Sequence, residues 1–287
     1  MERLSDYDIG NSYEAVVKQT TPITPPDAKD EVRHIVLEIA QPGFDFIVGQ
    51  SVGVLAPGDA ELGEKHHFRL YSVASSTLGD DGKSKTISIC VKRCSYIDEV
   101  SGERVLGRAS NYLCDLKPGD RISMTGPYGH QFTVPKDRTA NLLMVGLGTG
   151  VAPFRAFVKH IYDTAGGWEG KVRLFYGAQR GVELLYMNDE NNDLANYVDD
   201  ETFKAFEAVS PHPALDEPAA LDEALEQHGQ EVWEMIQDPN TYVYLAGQPK
   251  VVENFDAALA KIAGSEDEWR KAKARLDATG RWAELVY

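Results

Sequence analysis

Cysteine is scarce in this chain of 287 residues, which holds only Cys90, Cys94 and Cys114. An odd count this small excludes a disulfide framework and suits a reducing compartment. It also falls short of an iron–sulfur centre, which usually takes four thiolates at short spacings. The even spacing of Cys90 and Cys94 in a strand-like run assigns both to packing, and no metal ligand set is expected. Long apolar runs are absent too, none approaching the roughly 18–20 residues of a membrane span. The opening Met1-Glu2-Arg3-Leu4-Ser5-Asp6 is polar and shows no apolar core of a targeting segment, so the expected location is cytoplasmic. Cations are in the minority, with a formal net charge of −16, which excludes nucleic acid as the expected partner. They are also unevenly placed. From Glu64 to Arg138 there are 12 Lys and Arg against 9 Asp and Glu, and from Gly181 to Thr241 there are 1 against 16.

What is present has the organisation of two domains of roughly 100–150 residues each. Residues 1–11 read as a loosely held tail. Short alternating segments follow at Tyr13–Thr20, Val32–Ile39, Ser51–Leu55, His67–Ser75, Thr86–Val91 and Arg121–Thr125, separated by proline and glycine turns. Such a series predicts a small antiparallel barrel or sandwich, with a single helix over Ser110–Leu116. The pattern changes near Pro135. Leu142–Val145, Val172–Tyr176 and Tyr242–Leu245 are continuous apolar runs, each leading through a loop into helical sequence, the first into a helix over Ala152–Tyr162. Strands alternating with helices predict a parallel sheet. The boundaries drawn are 12–137 and 138–287.

Two stretches carry chemistry. Arg69-Leu70-Tyr71-Ser72-Val73-Ala74-Ser75-Ser76 holds one fixed cation, one aromatic face and three hydroxyls. Those parts suit a ligand that is anionic at one end and flat at the other, as a flavin nucleotide is, and equally a basic, hydroxyl-rich edge strand. Gly146-Leu147-Gly148-Thr149-Gly150 lies between a buried strand and a helix, where backbone N–H groups and the helix dipole face an anion. Pro153 falls in the first helical turn, where its missing N–H costs nothing. Arg155 reads as a phosphate contact or a solvated helix residue. His66 and His67 are adjacent on a strand, so their side chains diverge and a surface role is expected. Trp168, Trp233, Trp269 and Trp282 read as packing residues.

The order of these motifs resembles the plant-type ferredoxin–NADP⁺ reductases from about Glu31 to the last residue. The resemblance rests on Arg69–Ser76, Cys90-Val91-Lys92-Arg93 with Tyr96, Ser110–Gly119, Thr125-Gly126-Pro127, Gly146–Arg155, Leu184-Leu185-Tyr186, Asn240–Gly247 and the terminal Tyr287. It implies an antiparallel β-barrel FAD-binding domain followed by an α/β parallel-sheet nicotinamide-nucleotide-binding domain. Arg69 matches the pyrophosphate contact, Tyr71 the ring against the flavin, and Ser72 the hydroxyl near flavin N5. Leu70, Cys90, Val91 and Ala109 belong to the same matched cofactor-binding motifs. Lys92 and Ser110 match phosphate-side and ribose-side contacts, and Tyr96 the adenine platform that favours FAD. Gly148, Thr149, Gly150, Pro153, Ser210 and Gly247 fall on the nicotinamide-nucleotide side. Tyr287 matches the aromatic residue covering the other flavin face, and with Ser72 and Glu284 it completes the implied catalytic set.

The chain departs from that family's pattern at three places. Ala246 stands where the family has cysteine, and Leu285 where it has glutamate, leaving the nearest carboxylate at Glu284 on the opposite side of an extended tail. Ser210-Pro211-His212, followed by Asp216 and Glu217, stands where the family grips the 2′-phosphate with cations. An acidic neighbourhood repels a phosphate dianion, so a weakened NADPH preference and use of NADH are expected, the alternative being that Arg180 or His212 supplies the missing charge. The implied activity is electron transfer between NAD(P)H and a one-electron acceptor, ferredoxin or a similar small acidic carrier. Arg270, Lys271, Lys273 and Arg275 are either docking cations or a solvated helix face. The alternatives are an NADH-dependent reductase component of an oxygenase system and a non-catalytic flavin- or nucleotide-binding regulatory subunit.

Overall fold

The computed structural model describes residues 4–59, 63–98, 102–129, 132–199, 201–215 and 219–287. Alternating apolar residues fold the first part into β1 (Tyr13–Pro22), β2 (Val32–Ile39), β3 (Ser51–Pro57), β4 (His66–Ser72) and β5 (Thr86–Lys92). A short ribbon follows, β6 (Ser95–Ile97) with β7 (Arg104–Leu106), then helix α1 (Arg108–Asp115) and β8 (Arg121–Tyr128). The main sheet has the order β4-β3-β8-β1-β2-β5, and every neighbouring pair is antiparallel. It closes because the chain leaves β3 after Ser72. Val73 bridges to Ile89 of β5, Ala74 N–H donates to Ser88 O at 2.7 Å, and Ser75 Oγ accepts from Ser88 N–H at 3.1 Å. The strand expected over His67–Ser75 is therefore two pairings in succession, and together they make a barrel.

Inward side chains fill that barrel. Val17, Ile35, Leu37, Val52, Val54, Ile89 and Met124 are buried together, with Leu113 and Cys114 of α1 closing over β3, β4 and β5. Each such side chain contributes about 1.5–3 kcal/mol through burial. The helix starts two residues earlier than expected and stops at Asp115. Two expectations need correction here. The N-terminal segment is tied down: Tyr7 packs edge-on against Tyr128 at 5.0 Å and tilted against Phe68 at 6.1 Å, while Tyr128 Oη donates to Asp8 O. Cys94 is exposed because β5 ends at Lys92 and Cys94 falls in the link to the ribbon, while Cys90 and Cys114 are buried. All three are free thiols.

The second part comprises β9 (Asn141–Leu147), α2 (Val151–Lys159), β10 (Val172–Ala178), β11 (Phe203–Val209), α3 (Leu221–Gln227) and α4 (Gly229–Gln237). It continues through β12 (Thr241–Gly247), α5 (Lys250–Ile262), α6 (Glu266–Ala278) and β13 (Trp282–Val286). The sheet order is β11-β10-β9-β12-β13 and all pairings are parallel. Leu143, Val145, Phe175, Val243 and Leu245 face α3 to α6, where Phe255, Trp269 and Leu276 complete the core. On the other face Tyr244 meets Phe132 at 5.2 Å and Phe157 of α2 at 5.1 Å. The tail read as merely extended is the edge strand β13, and Tyr287 N–H continues its pairing to Gly247 O at 3.2 Å. By contact density the chain divides into two units, Met1–His130 and Gln131–Tyr287.

Candidate cofactor sites

In the first unit the candidate residues gather on β4 and the elements beside it. All side chains of β4 are exposed or half-buried, whereas its neighbour β3 is buried from Ser51 to Ala56. Tyr71 packs on the barrel core. Burial raises its pKa far above the ordinary value, with the neighbouring Cys94 and Cys114 thiols adding to the shift, so the phenol is neutral near pH 7. Neither the Tyr71 nor the Ser72 hydroxyl hydrogen-bonds to the described residues, although both are half-buried. Arg69 is exposed, and its guanidinium donates to the carbonyl of Phe68 at 2.8 Å. His67 reports the local field: burial, then Arg69 and Arg108, hold its pKa below the ordinary 6.5.

The start of α1 adds donors. Its N-cap, Gly107, supplies no side-chain cap, so the first N–H groups of the helix are open to an anion. Ser110 is buried, its Oγ accepting from Cys94 N–H at 3.1 Å and donating to Gly107 O at 3.2 Å. Ala109 is buried beside it. A side chain at position 107 would press on Ser110 Oγ at 3.0 Å and on Cys94 at 3.2 Å. Tyr96 stands out on the ribbon with 57% of its surface exposed, a free ring face for stacking. Lys92 is paired with Asp30, and Val91 points into the core, so it can offer only backbone. Cys90 is buried and Leu70 is half-buried. Free hydroxyls, open helix N–H groups, a guanidinium and an exposed ring are the donor set a flavin dinucleotide needs, and the residues fit it.

In the second unit β9 ends in a 3₁₀ turn, Gly148–Gly150, that runs into α2. Gly148 has φ +56°, outside the range favoured by other residues. Gly150 is required by space instead, since a Cβ there would lie 2.1 Å from Ala246 O. From β12, Gly247 (φ +130°) leaves its own missing Cβ 2.7 Å from Leu147 O. The loops after two neighbouring parallel strands are thus pressed together, backbone to backbone. No side chain caps α2, and Pro153 is buried in its first turn. The loop and helix N-terminus fit a dinucleotide pyrophosphate. Thr149 Oγ1 and Tyr287 Oη lie 2.6 Å apart in a hydrogen bond, with 59% of Tyr287 exposed.

Other candidates lie apart from that loop. Ser210, just past β11, is buried and its Oγ accepts from His212 N–H at 3.2 Å. Glu284 falls in β13 opposite Leu245, on the face packed by α5 and α6, and accepts from Trp282 Nε1 at 2.7 Å. Tyr287 and Ala246 belong to the opposite face. Arg155 is not a solvated helix residue. It is buried, donates from Nε to Asp193 Oδ2 at 2.9 Å and lies 4.7 Å over the Tyr186 ring. Asp193, far along the chain, is a partner that the spacing of the helix does not announce. Asp216 and Glu217 lie outside the described residues. Among the described residues no group of three or more His, Cys, Asp and Glu could hold a metal ion.

Comparison with known proteins follows the same division. Residues 28–132 match the family described as the oxidoreductase FAD-binding domain, and residues 144–256 the oxidoreductase NAD-binding domain. A chloroplastic leaf ferredoxin–NADP reductase of rice (Oryza sativa subsp. indica) is 37% identical over 273 residues, 93% of this chain and 74% of that protein. The chain belongs to the ferredoxin–NADP reductase family. Another reductase of this family, from Synechocystis, is 31% identical over 281 residues, 96% of this chain and 67% of its own length. A solved ferredoxin–NADP⁺ reductase of Plasmodium falciparum superposes with a TM-score of 0.74 over 98% of both chains at 18% identity, a likeness of fold. The antiparallel barrel and the parallel sheet are those of the reductase family.

Proposed function

We propose that this chain is an FAD-dependent oxidoreductase that passes electrons between NADPH and ferredoxin, with residues 12–137 carrying the flavin and 138–287 the nicotinamide nucleotide. The observation that carries it is the coexistence of two donor sets in one chain of this family. One is the β4–α1 set, with a neutral Tyr71, a free Ser72 hydroxyl and Arg69. The other is the glycine turn after β9, backed by β12. Bound flavin would supply the chemistry, taking up one hydride and passing its two electrons on singly. In our reading Arg69 and the N–H groups of α1 hold its phosphates, Tyr71 lies against its ring, and Tyr96 stacks on its adenine. Lys92 neutralises charge while Leu70, Cys90, Val91, Ala109 and Ser110 line the remainder. Gly148, Thr149, Gly150, Pro153, Ser210, Gly247 and Tyr287 receive the nicotinamide nucleotide. Glu284, exposed and hydrogen-bonded to Trp282 on the face opposite Ala246, is left out of the hydride step. Three free thiols suit the cytoplasm, our reading of location.

NADPH preference is weakened in this reading. Lys204, the one lysine between Gly181 and Thr241, sits at the start of β11, whereas open α/β sheets bind ligands at the far ends of their strands. Arg180 is the fixed cation left near that edge, with the imidazole of His212 beside Ser210. Anaerobic titration of the purified yellow protein with NADPH and with NADH tests both levels. Bleaching is expected with both coenzymes, with kcat/KM values within about 100-fold of one another, or roughly 2.7 kcal/mol. A larger preference for NADPH removes the NADH reading, and no bleaching at all would indicate a regulatory subunit. In the same titration Ser72→Ala should bleach more slowly while keeping its colour, and an unchanged rate takes Ser72 out of the hydride step.

A further inference from the structure

The side chain of Tyr176 is fully buried in β10, yet it carries a hydroxyl to the end of the sheet where the glycine turn begins. That hydroxyl donates to Gly148 O at 2.9 Å and accepts from Leu185 N–H at 3.0 Å, with Glu183 O at 3.4 Å. Having one proton, it makes its donor bond to the nearer carbonyl, that of Gly148. Gly148 O also accepts from Val151 N–H as the 3₁₀ turn closes.

We propose that Tyr176 is a positioning residue for the nicotinamide nucleotide, acting through the peptide between Gly148 and Thr149. The inference rests on reading this turn as the dinucleotide site. A trans peptide is planar, and its C=O and N–H point in opposite directions. Holding the Gly148 carbonyl down on a buried hydroxyl therefore turns the Thr149 N–H away from the sheet, toward an incoming phosphate. Gly148, at φ +56° with open space where a Cβ would be, has the freedom to flip that peptide. The hydroxyl removes that freedom. By also holding Leu185 N–H, it keeps the Gly181–Tyr186 segment in step with the turn.

Tyr176→Phe keeps the ring and deletes only the hydroxyl. Calorimetric titration of flavin-loaded wild type and variant with NADP⁺, together with steady-state kinetics, tests the role. The expected result is an NADP⁺ Kd and an NADPH KM raised about tenfold, roughly 1.4 kcal/mol, with kcat within about twofold. Flavin content should be unchanged, while Tm falls slightly because Leu185 N–H loses its acceptor. Equal NADP⁺ affinity in the two proteins overturns the inference alone. So does a drop in Tm with KM unchanged, which means the hydroxyl only supports packing. A wild type that binds no NADP⁺ overturns both the inference and the reading of the site beneath it.

Discussion

His160 shows what one buried atom does to stability. It lies in the single π-turn after α2, with Nδ1 buried and unpartnered among the described residues. Burial lowers its pKa below the ordinary 6.5. Below about 6.5 the unfolded chain takes up a proton that the folded chain refuses, so stability falls as pH falls through that window. Thermal melts from about pH 7 to about pH 5 should show a shallower loss in His160→Gln than in wild type. Parallel curves would mean that the ring protonates freely in the fold. Arg155 illustrates the opposite solution at the same scale: a buried cation is accommodated because Asp193 and the Tyr186 ring receive it. Removing one partner from such a pair typically costs about 3–5 kcal/mol.

At the scale of elements, the turn between β9 and α2 separates two reasons for glycine. Gly148 needs a positive φ but has space, so Gly148→Ala should cost about 1–2 kcal/mol of stability. Gly150 has ordinary helical angles but no space, with Ala246 O in the way. Gly150→Ala must move β12 or the turn, and overpacking of that kind costs about 1–3 kcal/mol or more. It should also weaken NADP⁺ binding more than Gly148→Ala does, as urea unfolding and NADP⁺ titration of both variants would report. The reverse order would contradict the packing described for β9 and β12. Sequence patterning foretells these elements unevenly. Alternation over Val32–Ile39 spells β2 to the residue, and the apolar runs of β9, β10 and β12 announce a buried parallel sheet. In contrast, β11 carries Lys204 and Glu207 and resembles a surface segment, while β13 has five residues that pair with β12, far back in the chain. The hydroxyl of Tyr176 is equally silent, since an aromatic residue ending an apolar run reads as packing until its acceptor, Gly148 O, is in place.

Charge acts over the whole molecule. The cations of α6 are one candidate docking face for an acidic carrier, and three of the four lie in ion pairs. Arg270 pairs with Asp267 at 2.6 Å, Lys271 with Glu268 at 2.8 Å and Lys273 with Asp256 at 2.8 Å, while Arg275 donates to Gln237. Paired exposed charges project little field beyond a Debye length of about 8–10 Å. Lys65, Lys83, Lys85 and Lys117 in the first unit are exposed and make no ion pair among the described residues. In a chain of net charge −16, unpaired cations of this kind are expected to steer an acidic ferredoxin more than paired ones. Reversing Arg270, Lys271 and Arg275 should leave kcat/KM for ferredoxin within about twofold. Reversing Lys83 and Lys85 should lower it about three- to tenfold at low salt, with the difference vanishing as salt rises. Dye reduction should not change in either variant. A loss confined to the α6 reversal would place the carrier on the second unit and refute this assignment of the field.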